Sequence, residues 1–275
     1  MILINSWLRF FFLPRFPAGG PWLRFFMLGA SLAAVLHAQP PGGRGASAAN
    51  PRLSAPIDLT GYWVSIVSED WRFRMFTPPK GDTFGVPLNA EGTNLANAWD
   101  PAKDEAAGEQ CKSYGMPAIM RVPGRFHITW QDDNTLKIET DAGRQTRLLH
   151  FGDPPARLGS PSLQGYSSAS WLRVAARSRG GEGQPGAAGS GGGSLKVTTT
   201  NLRPGYLRKN GVPYSDKTTV TEFYDIVHEP GGADWVVVKT IVNDPAYLTE
   251  PFITSTNLRK QSDSSGWNPT ACAAR

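Results

Sequence analysis

Residues 125–151 contain three short stretches in which apolar and polar residues alternate, separated by two turn sequences. Phe126 and Ile128, for example, alternate with polar neighbours, and the turns at 132–134 and 141–143 are built from Asp, Asn, Ala and Gly. A period of two residues is typical of a β-strand with one buried face, and Asp, Asn and Gly favour tight turns. The stretch therefore predicts a three-stranded antiparallel meander.

The same patterning predicts strands on both sides of the meander, at 58–66, 163–174, 195–200, 218–228, 235–242 and 252–258. Only 87–114 has a helical pattern, with Asn89 and Asp100 as predicted N-caps and Pro101 at a first helical position. Successive hairpins without alternating helices predict an all-β fold. We expect an antiparallel barrel of about eight to ten strands, with one or two short helices after the first strand.

The first 38 residues have the features of an export signal. An apolar run follows Arg24 and ends near Ala38, where a stretch rich in Pro and Gly begins. The alternative interpretation is a membrane anchor. The run is shorter than the roughly 20 apolar residues that a membrane-spanning helix needs, so its length favours a signal peptide. The sequence predicts a signal peptide over 1–38, an exported mature chain in the periplasm or outside the cell, and no transmembrane span after cleavage.

The remaining boundaries follow from composition. Residues 39–56 are mostly Pro, Gly, Ala and Ser and predict a disordered linker. A single barrel domain is expected over 57–275, interrupted by a flexible Gly- and Ser-rich insertion at 178–194.

Charge argues against a nucleic-acid-binding protein. Three of the 28 Lys and Arg residues lie in the first 38 residues, which contain no acid, so 25 basic residues remain against 23 acidic ones. No basic stripe stands out in the mature chain, and no nucleic acid partner is predicted.

Cys111 and Cys272 are the two cysteines of the chain, and both lie in the part predicted to be exported. Export favours a disulfide between them, with two buried free thiols as the alternative. The sequence has no CxxC or HxxxH pattern and its four histidines are scattered, so no metal site is predicted. It also lacks a glycine-rich phosphate loop or dinucleotide motif before a helix, and no cofactor is predicted.

The Gly-Tyr-Trp sequence at 61–63 resembles the Gly-x-Trp motif with which barrels of the lipocalin superfamily begin. The resemblance implies that Trp63 plugs one end of the barrel and that a late arginine, here Arg259, stacks on it. Residues 221–225 are loosely similar to the family's middle motif. Four longer blocks resemble exported bacterial proteins with lipocalin-like barrels, and this likeness implies no activity: 58–75, 145–151, 202–215 and 244–255.

A barrel of this type takes its ligand contacts from inward-facing residues and one mouth loop. We predict four ligand contacts on this basis: Arg147, Tyr206, Glu222 and Tyr224. Arg147 is a candidate for pairing with an anionic group, and its alternative role is a cross-strand ion pair with Glu139. Small residues in the strand after the meander, at 165, 167 and 169, leave space for another group.

Three functional hypotheses follow. The first is an exported, monomeric or weakly oligomeric protein that binds a small apolar or amphipathic molecule. The second is an acid–base enzyme on the same barrel, with His127 or His150 as the base and Glu139, Glu222 or Tyr224 as partners. The third is a cell-envelope interaction module that uses the loop at 203–214 and the Gly-rich tip. A lumen filled by side chains would favour the third.

Overall fold

Nine strands close into a barrel in the computed structural model, which describes residues 50–173 and 192–274. The barrel strands are β1 (Gly61–Ile66), β2 (Arg125–Trp130), β3 (Thr135–Thr140), β4 (Thr146–Phe151), β5 (Tyr166–Arg173), β6 (Gly193–Thr200), β9 (Thr219–His228), β10 (Asp234–Asn243) and β11 (Phe252–Gln261). Their order around the barrel is β1-β11-β10-β9-β6-β5-β4-β3-β2. The short strands β7 (Gly205–Tyr206) and β8 (Pro213–Tyr214) form a separate ribbon. The predicted all-β barrel and its strand number are confirmed.

The barrel is not wholly antiparallel as predicted, because β4 and β5 run parallel, with Leu149 paired to Ser167 and Phe151 to Ala169. A closed ring in which every neighbour is antiparallel must have an even number of strands, so nine strands require at least one parallel pair. The parallel pair needs a crossover connection, which residues 152–165 supply. An up-and-down lipocalin barrel has eight strands, all antiparallel to their neighbours. This barrel differs from that type in its nine strands and in its parallel pair.

The meander forms as predicted. Strand β2 pairs with β3 and β3 with β4, both antiparallel, and Ile138 of β3 faces Ile128 on one side and Arg147 on the other. The second turn places Gly143 at a φ of 79°, a backbone conformation that glycine adopts at no steric cost.

The segment between β1 and β2 holds more helix than the one or two short elements predicted. It contains α1 (Trp71–Arg74), α2 (Ala90–Ala98), α3 (Pro101–Ala106), a 3-10 helix (Gln110–Tyr114) and α4 (Met116–Ile119). Both predicted caps are present: the Asn89 side chain accepts a hydrogen bond from the Gly92 backbone N–H at 2.9 Å, and Asp100 accepts one from Ala102 at 3.1 Å. None of these helices, nor any other within 50–173 and 192–274, is long and apolar enough to span a membrane.

The barrel lumen is packed with side chains. Buried residues alternate with more exposed ones along most of the strands, and many of the buried residues have no solvent exposure at all, including Trp63, Ile128, Leu149, Val197 and Val238. The residues that follow α4 pack into the same core cluster, so the helical segment closes the end of the barrel at which β2 begins.

Trp63 is buried at 0% exposure and its indole N–H donates to the Leu59 carbonyl. The cation over its ring is Lys260, with Nζ 4.4 Å from the ring centroid. The expectation that Arg259 would stack there is wrong, because Arg259 is on the outer face of β11 and lies 6.0 Å from the Trp235 ring.

The predicted disulfide is confirmed: Cys111 in the 3-10 helix is bonded to Cys272 in the C-terminal tail, 161 residues away. The bond therefore fastens the tail to the helical segment. Closing a loop of this length contributes about 5 kcal/mol in the chain-entropy treatment.

The predicted signal peptide, 1–38, lies outside the described residues, as do 39–49 of the linker and most of the 178–194 insertion. Residues 50–56 of the predicted linker form a turn on the barrel, where the Pro51 carbonyl accepts a hydrogen bond from the Trp171 indole N–H at 2.8 Å. Gly193 and Ser194, at the end of the predicted insertion, already belong to β6.

Candidate functional site

Arg147, Glu222 and Tyr224 meet inside the barrel. Two guanidinium nitrogens of Arg147 donate to the two carboxylate oxygens of Glu222, at 3.3 and 2.6 Å. The Tyr224 hydroxyl donates to Glu222 at 3.1 Å and lies 3.2 Å from an Arg147 nitrogen that donates to it. The side chains of the ion pair have 0% exposure. Three of the four predicted ligand contacts therefore form one buried hydrogen-bonded group.

Strand register explains why these residues meet. Arg147 is on the inward face of β4, and Glu222 and Tyr224 are two residues apart on β9, so both face inward as well. Strands β5 and β6 lie between them in the barrel. The inward residues of β5 include Ser167 and Ala169, whose small side chains leave the space that the long arginine side chain occupies.

The buried ion pair shifts the pKa values of the titratable groups in the lumen. Burial alone would lower the pKa of Arg147, but the charge of Glu222 and the hydrogen bonds from both partners raise it above its ordinary value. Burial and the neighbouring Glu222 charge raise the pKa of Tyr224. Arg147 is thus a charged arginine and Tyr224 a neutral phenol at physiological pH. Apart from Nε of Arg147, which has no hydrogen-bond partner among the described residues, their polar groups bond to one another and to Glu222, and the ion pair is not exposed to a ligand.

The alternative role of Arg147, a cross-strand pair with Glu139, is wrong. Arg147 pairs in register with Ile138, whereas Glu139 points to the outer face. There its carboxylate contacts Lys137 at 2.9 Å and His127 at 3.4 Å.

Both candidate histidines are on the outer face of the barrel. His127 contacts Glu139 and stacks on Tyr62, with ring centroids 4.1 Å apart. His150 stacks on Tyr166 at 5.0 Å. The barrel wall separates the two histidines from Glu222 and Tyr224, so the His, Glu and Tyr cluster that the enzyme hypothesis needs does not form in the lumen. Among the described residues, no group of three His, Cys, Asp or Glu side chains is arranged to hold a metal ion.

Tyr206, the fourth predicted contact, lies outside the barrel in a cleft between the helical segment and the loop at 203–214. The cleft has a volume of about 330 Å³ and is open to solvent. Its walls are mostly apolar and include four aromatic side chains and two aliphatic residues of α2: Trp99, Tyr206, Tyr214, Tyr247, Leu95 and Ala98. Its volume is within the range of small-molecule sites, at the lower end.

The polar groups of the cleft centre on Asp104. One carboxylate oxygen accepts a hydrogen bond from the Tyr206 hydroxyl at 2.8 Å, and the other contacts Lys112 Nζ at 2.8 Å. Burial, together with the hydrogen bond to Asp104, raises the pKa of Tyr206. The Trp99 indole N–H and the Tyr214 hydroxyl are buried without a hydrogen-bond partner among the described residues.

The Asn210-Gly211 turn shapes one wall of the cleft. Gly211 has a φ of 80°, and a Cβ at this position would lie 2.0 Å from Cγ of Trp99. Only glycine satisfies both conditions, so the turn allows the indole ring to pack against the backbone.

Trp99, Asp104 and Tyr214 are not among the residues predicted to contact a ligand. The sequence did contain a signal for this region, because 201–215 is rich in Arg, Lys and Tyr and includes the Asn-Gly turn. Helix α3 carries Asp104 to the same place from a position 102 residues from Tyr206, which no local pattern indicates.

Comparison of the chain with protein-family models, with curated proteins and with solved structures finds no match.

Proposed function

We propose that the protein is an exported binding protein for a small, largely apolar molecule that carries a polar group. The aromatic cleft is the proposed binding site, in place of the lumen that a lipocalin-like barrel suggested. The observation that carries the proposal is a mostly apolar cleft of about 330 Å³ whose walls combine four aromatic rings with the Asp104–Lys112 pair. Binding sites of this kind are typically apolar and contain a few polar groups that fix the ligand's orientation.

Each group has a role in this proposal. Tyr206 and Tyr247 supply flat apolar surface for an aromatic or alicyclic ligand, and the ring of Tyr214, which is 1% exposed, is part of the cleft wall. The Lys112 ammonium, whose side chain is 29% exposed, supplies a donor, and the buried Asp104 carboxylate holds it in the cleft wall at 2.8 Å. Leu95, at the rim, is 38% exposed and loses this exposure when a ligand covers it.

The test is a fluorescence titration of the full chain with N-phenyl-1-naphthylamine, a neutral apolar dye. We expect saturable binding to one site. Leu95→Asp places a charge at the rim and should weaken binding at least tenfold. Leu158→Asp is the matched control, because Leu158 is 37% exposed and does not line the cleft, so the same change there should leave binding unchanged. Equal weakening by both variants, or no saturable binding to the wild type, would overturn the proposal.

Export has its own test. Cell fractionation followed by intact-mass measurement should find a chain that begins at Gln39 in the periplasm or the medium, which places signal cleavage after Ala38. Recovery of the whole 275-residue chain from the cytoplasm alone would contradict export.

An interaction module remains a second candidate, because the lumen is filled and one surface exposes several large apolar side chains. Trp71, Met75, Phe76 and Phe84 are between 55% and 73% exposed and lie on and after α1. The loop at 203–214, which the sequence suggested for this role, is instead mostly buried. Sedimentation velocity distinguishes this candidate: the wild type should associate with itself or a partner, and Phe76→Ser/Phe84→Ser should not.

A further inference from the structure

Three arginines from distant parts of the chain converge beside the closed end of the barrel. Arg74 ends α1, Arg121 follows α4, and Arg208 lies in the loop between β7 and β8. All three are 5–6% exposed, which is unusual for arginine, a residue that is rarely buried unless it is paired.

Carboxylates neutralise only two of the three. Arg74 contacts Glu69, and Arg121 contacts Asp70 at 3.0 Å. Arg208 has no carboxylate within salt-bridge distance among the described residues. Its guanidinium donates to the Phe84 carbonyl at 2.8 Å and lies 4.0 Å from the centroid of the Phe73 ring.

The cluster therefore carries more positive charge than its own carboxylates balance. Lys209, next in the chain, adds a further cation, and its ammonium faces the Tyr114 ring at 5.2 Å and no carboxylate among the described residues. Burial, and then the charge of Arg121, lower the pKa of Arg208 to about 10, although the charges of Asp70 and Asp82 act in the opposite direction. Uncompensated buried charge destabilises a fold, and an anion bound here would offset that cost.

The cluster also has hydrogen-bond donors to offer. Nη1 of Arg121 and Nε of Arg208 are buried without partners among the described residues. The three arginines, Lys209 and Ser113 line a small cavity of about 20 Å³, together with five apolar residues: Phe73, Ala118, Val122, Pro123 and Leu207. A space of this size holds one or two water-sized groups, so it admits one or two oxygens of an oxyanion and is too small for the whole anion or for an apolar ligand.

We propose that the arginine cluster formed by Arg74, Arg121, Arg208 and Lys209 is a binding site for a phosphate-type oxyanion. A guanidinium group presents its N–H donors in a planar fork that matches two oxygens of phosphate. The site is separate from the aromatic cleft, which accepts an apolar molecule, and does not depend on the function proposed for that cleft.

The same chemistry has two sources, a free anion and the headgroup of a phospholipid. Phe84, whose carbonyl binds Arg208, is 73% exposed, and Trp71 and Phe76 are also largely exposed. Exposed aromatic side chains beside cations are typical of surfaces that contact the membrane interface, so the experiment includes both sources.

Calorimetric titration of the full chain with inorganic phosphate tests the free anion, at constant ionic strength set by sodium chloride. We expect saturable one-site binding that Arg208→Met weakens at least tenfold and Lys209→Met at least threefold. Lys209 is only partly buried, so its variant reports on the site even where Arg208→Met fails to fold. Arg259→Met is the matched control, because Arg259 is exposed on the opposite side of the β11 wall from the lumen and outside the cluster, and should bind as the wild type does.

Co-sedimentation with vesicles of phosphatidylglycerol and phosphatidylcholine, against phosphatidylcholine alone, tests the headgroup. Binding to the anionic vesicles that Lys209→Met weakens, without binding of inorganic phosphate, assigns the site to a lipid. The absence of saturable binding to both phosphate and vesicles overturns the proposal, as does an equal loss in Arg259→Met and Lys209→Met. Neither result affects the dye titration, which uses a neutral probe.

Discussion

The Arg147 guanidinium crosses the barrel lumen from β4 to the Glu222 carboxylate on β9, three strands away around the ring, and both side chains are completely buried. Two hydrogen bonds join the pair and Tyr224 bonds to both partners. The lumen of this barrel thus has a polar centre within an apolar lining. Within this group, Nε of Arg147 is the one guanidinium nitrogen that has no hydrogen-bond partner among the described residues.

Removing one partner of the lumen pair should destabilise the protein strongly. Glu222→Gln keeps the shape of the side chain but leaves Arg147 charged and unpaired, and we expect a loss of about 3–5 kcal/mol in the free energy of unfolding. The double variant Arg147→Met/Glu222→Gln removes both charges and should recover most of that loss. Urea denaturation at pH 7 measures both effects.

The control for the lumen pair is Glu139→Gln on the outer face of β3. Glu139 is also within 4 Å of a cation, but its side chain is 33% exposed, and exposed pairs contribute about 0–1 kcal/mol. Equal losses at positions 139 and 222 would show that burial does not set the strength of the pair.

Tyrosine ionisation should make the protein unstable at alkaline pH. Burial raises the pKa of Tyr206, Tyr214 and Tyr224, whereas a tyrosine in the unfolded chain ionises near pH 10. The unfolded state therefore releases its protons first, so the stabilising contribution is complete below about pH 10 and is lost as the pH rises above it. Urea midpoints at pH 7 and pH 11 should show this loss.

Two phenylalanine substitutions separate the hydroxyl groups. Tyr214→Phe removes a buried hydroxyl that has no hydrogen-bond partner in the described part of the chain, so it should change stability at pH 7 by less than about 1 kcal/mol and reduce the alkaline loss. Tyr206→Phe removes the hydrogen bond to Asp104 and should cost about 1.5 kcal/mol at pH 7. A larger cost at position 214 than at 206 would contradict the assignment of hydrogen bonds in the cleft.

Gly211→Ala should close the aromatic cleft. The added Cβ would overlap the Trp99 ring, so the indole must move and dye binding should fall at least tenfold, with a stability loss above the 1–2 kcal/mol expected for positive φ alone. Gly231→Ala is matched for backbone strain, because Gly231 has a φ of 70° and its Cβ would meet no atom of the described residues within 4 Å. The Gly231→Ala variant should lose about 1–2 kcal/mol in the free energy of unfolding and should bind the dye as the wild type does. Loss of binding in both variants would indicate unfolding.

Cleavage of the disulfide should loosen the C-terminal tail. Cys111→Ser/Cys272→Ser removes a bond that closes 161 residues, and we expect a loss of about 2–5 kcal/mol in the free energy of unfolding. Reduction of the wild type should produce the same loss. An oxidised wild type no more stable than the double variant would show that the tail packs equally well without the bond.

Local patterns in the sequence predicted much of the fold. The alternation in 125–151 predicted the meander because a strand places successive side chains on opposite faces. Asn89 and Asp100 predicted helix starts because a short polar side chain satisfies a free N–H there. Cys111 and Cys272 were the only candidates for a disulfide in the chain. The strand and helix-cap predictions depend on residues that are close in sequence. The disulfide prediction depends on the fact that two cysteines allow one pairing within the chain.

The candidate sites were harder to predict, because they depend on which strands become neighbours. Period-2 alternation placed Arg147 on one face of β4 but did not indicate that Glu222, 75 residues away, would complete the pair. Tyr206 was predicted as a ligand contact, yet the cleft around it is formed with Trp99 and Asp104 from the helical segment.

The sequence by itself therefore determined the strands, their alternation, the helix caps and the cysteine pairing, since these follow from local geometry and composition. Tertiary structure decided the parallel β4–β5 pair, the filling of the lumen by Arg147 and Glu222, and the position of the cleft outside the barrel. Closing a ring of nine strands requires at least one parallel pair, and the connection at 152–165 places it at β4–β5. The long Arg147 side chain fills the lumen and pairs with Glu222 because an isolated charge is costly when buried. The third follows because the loop at 203–214 packs on the helical segment and Gly211 admits Trp99.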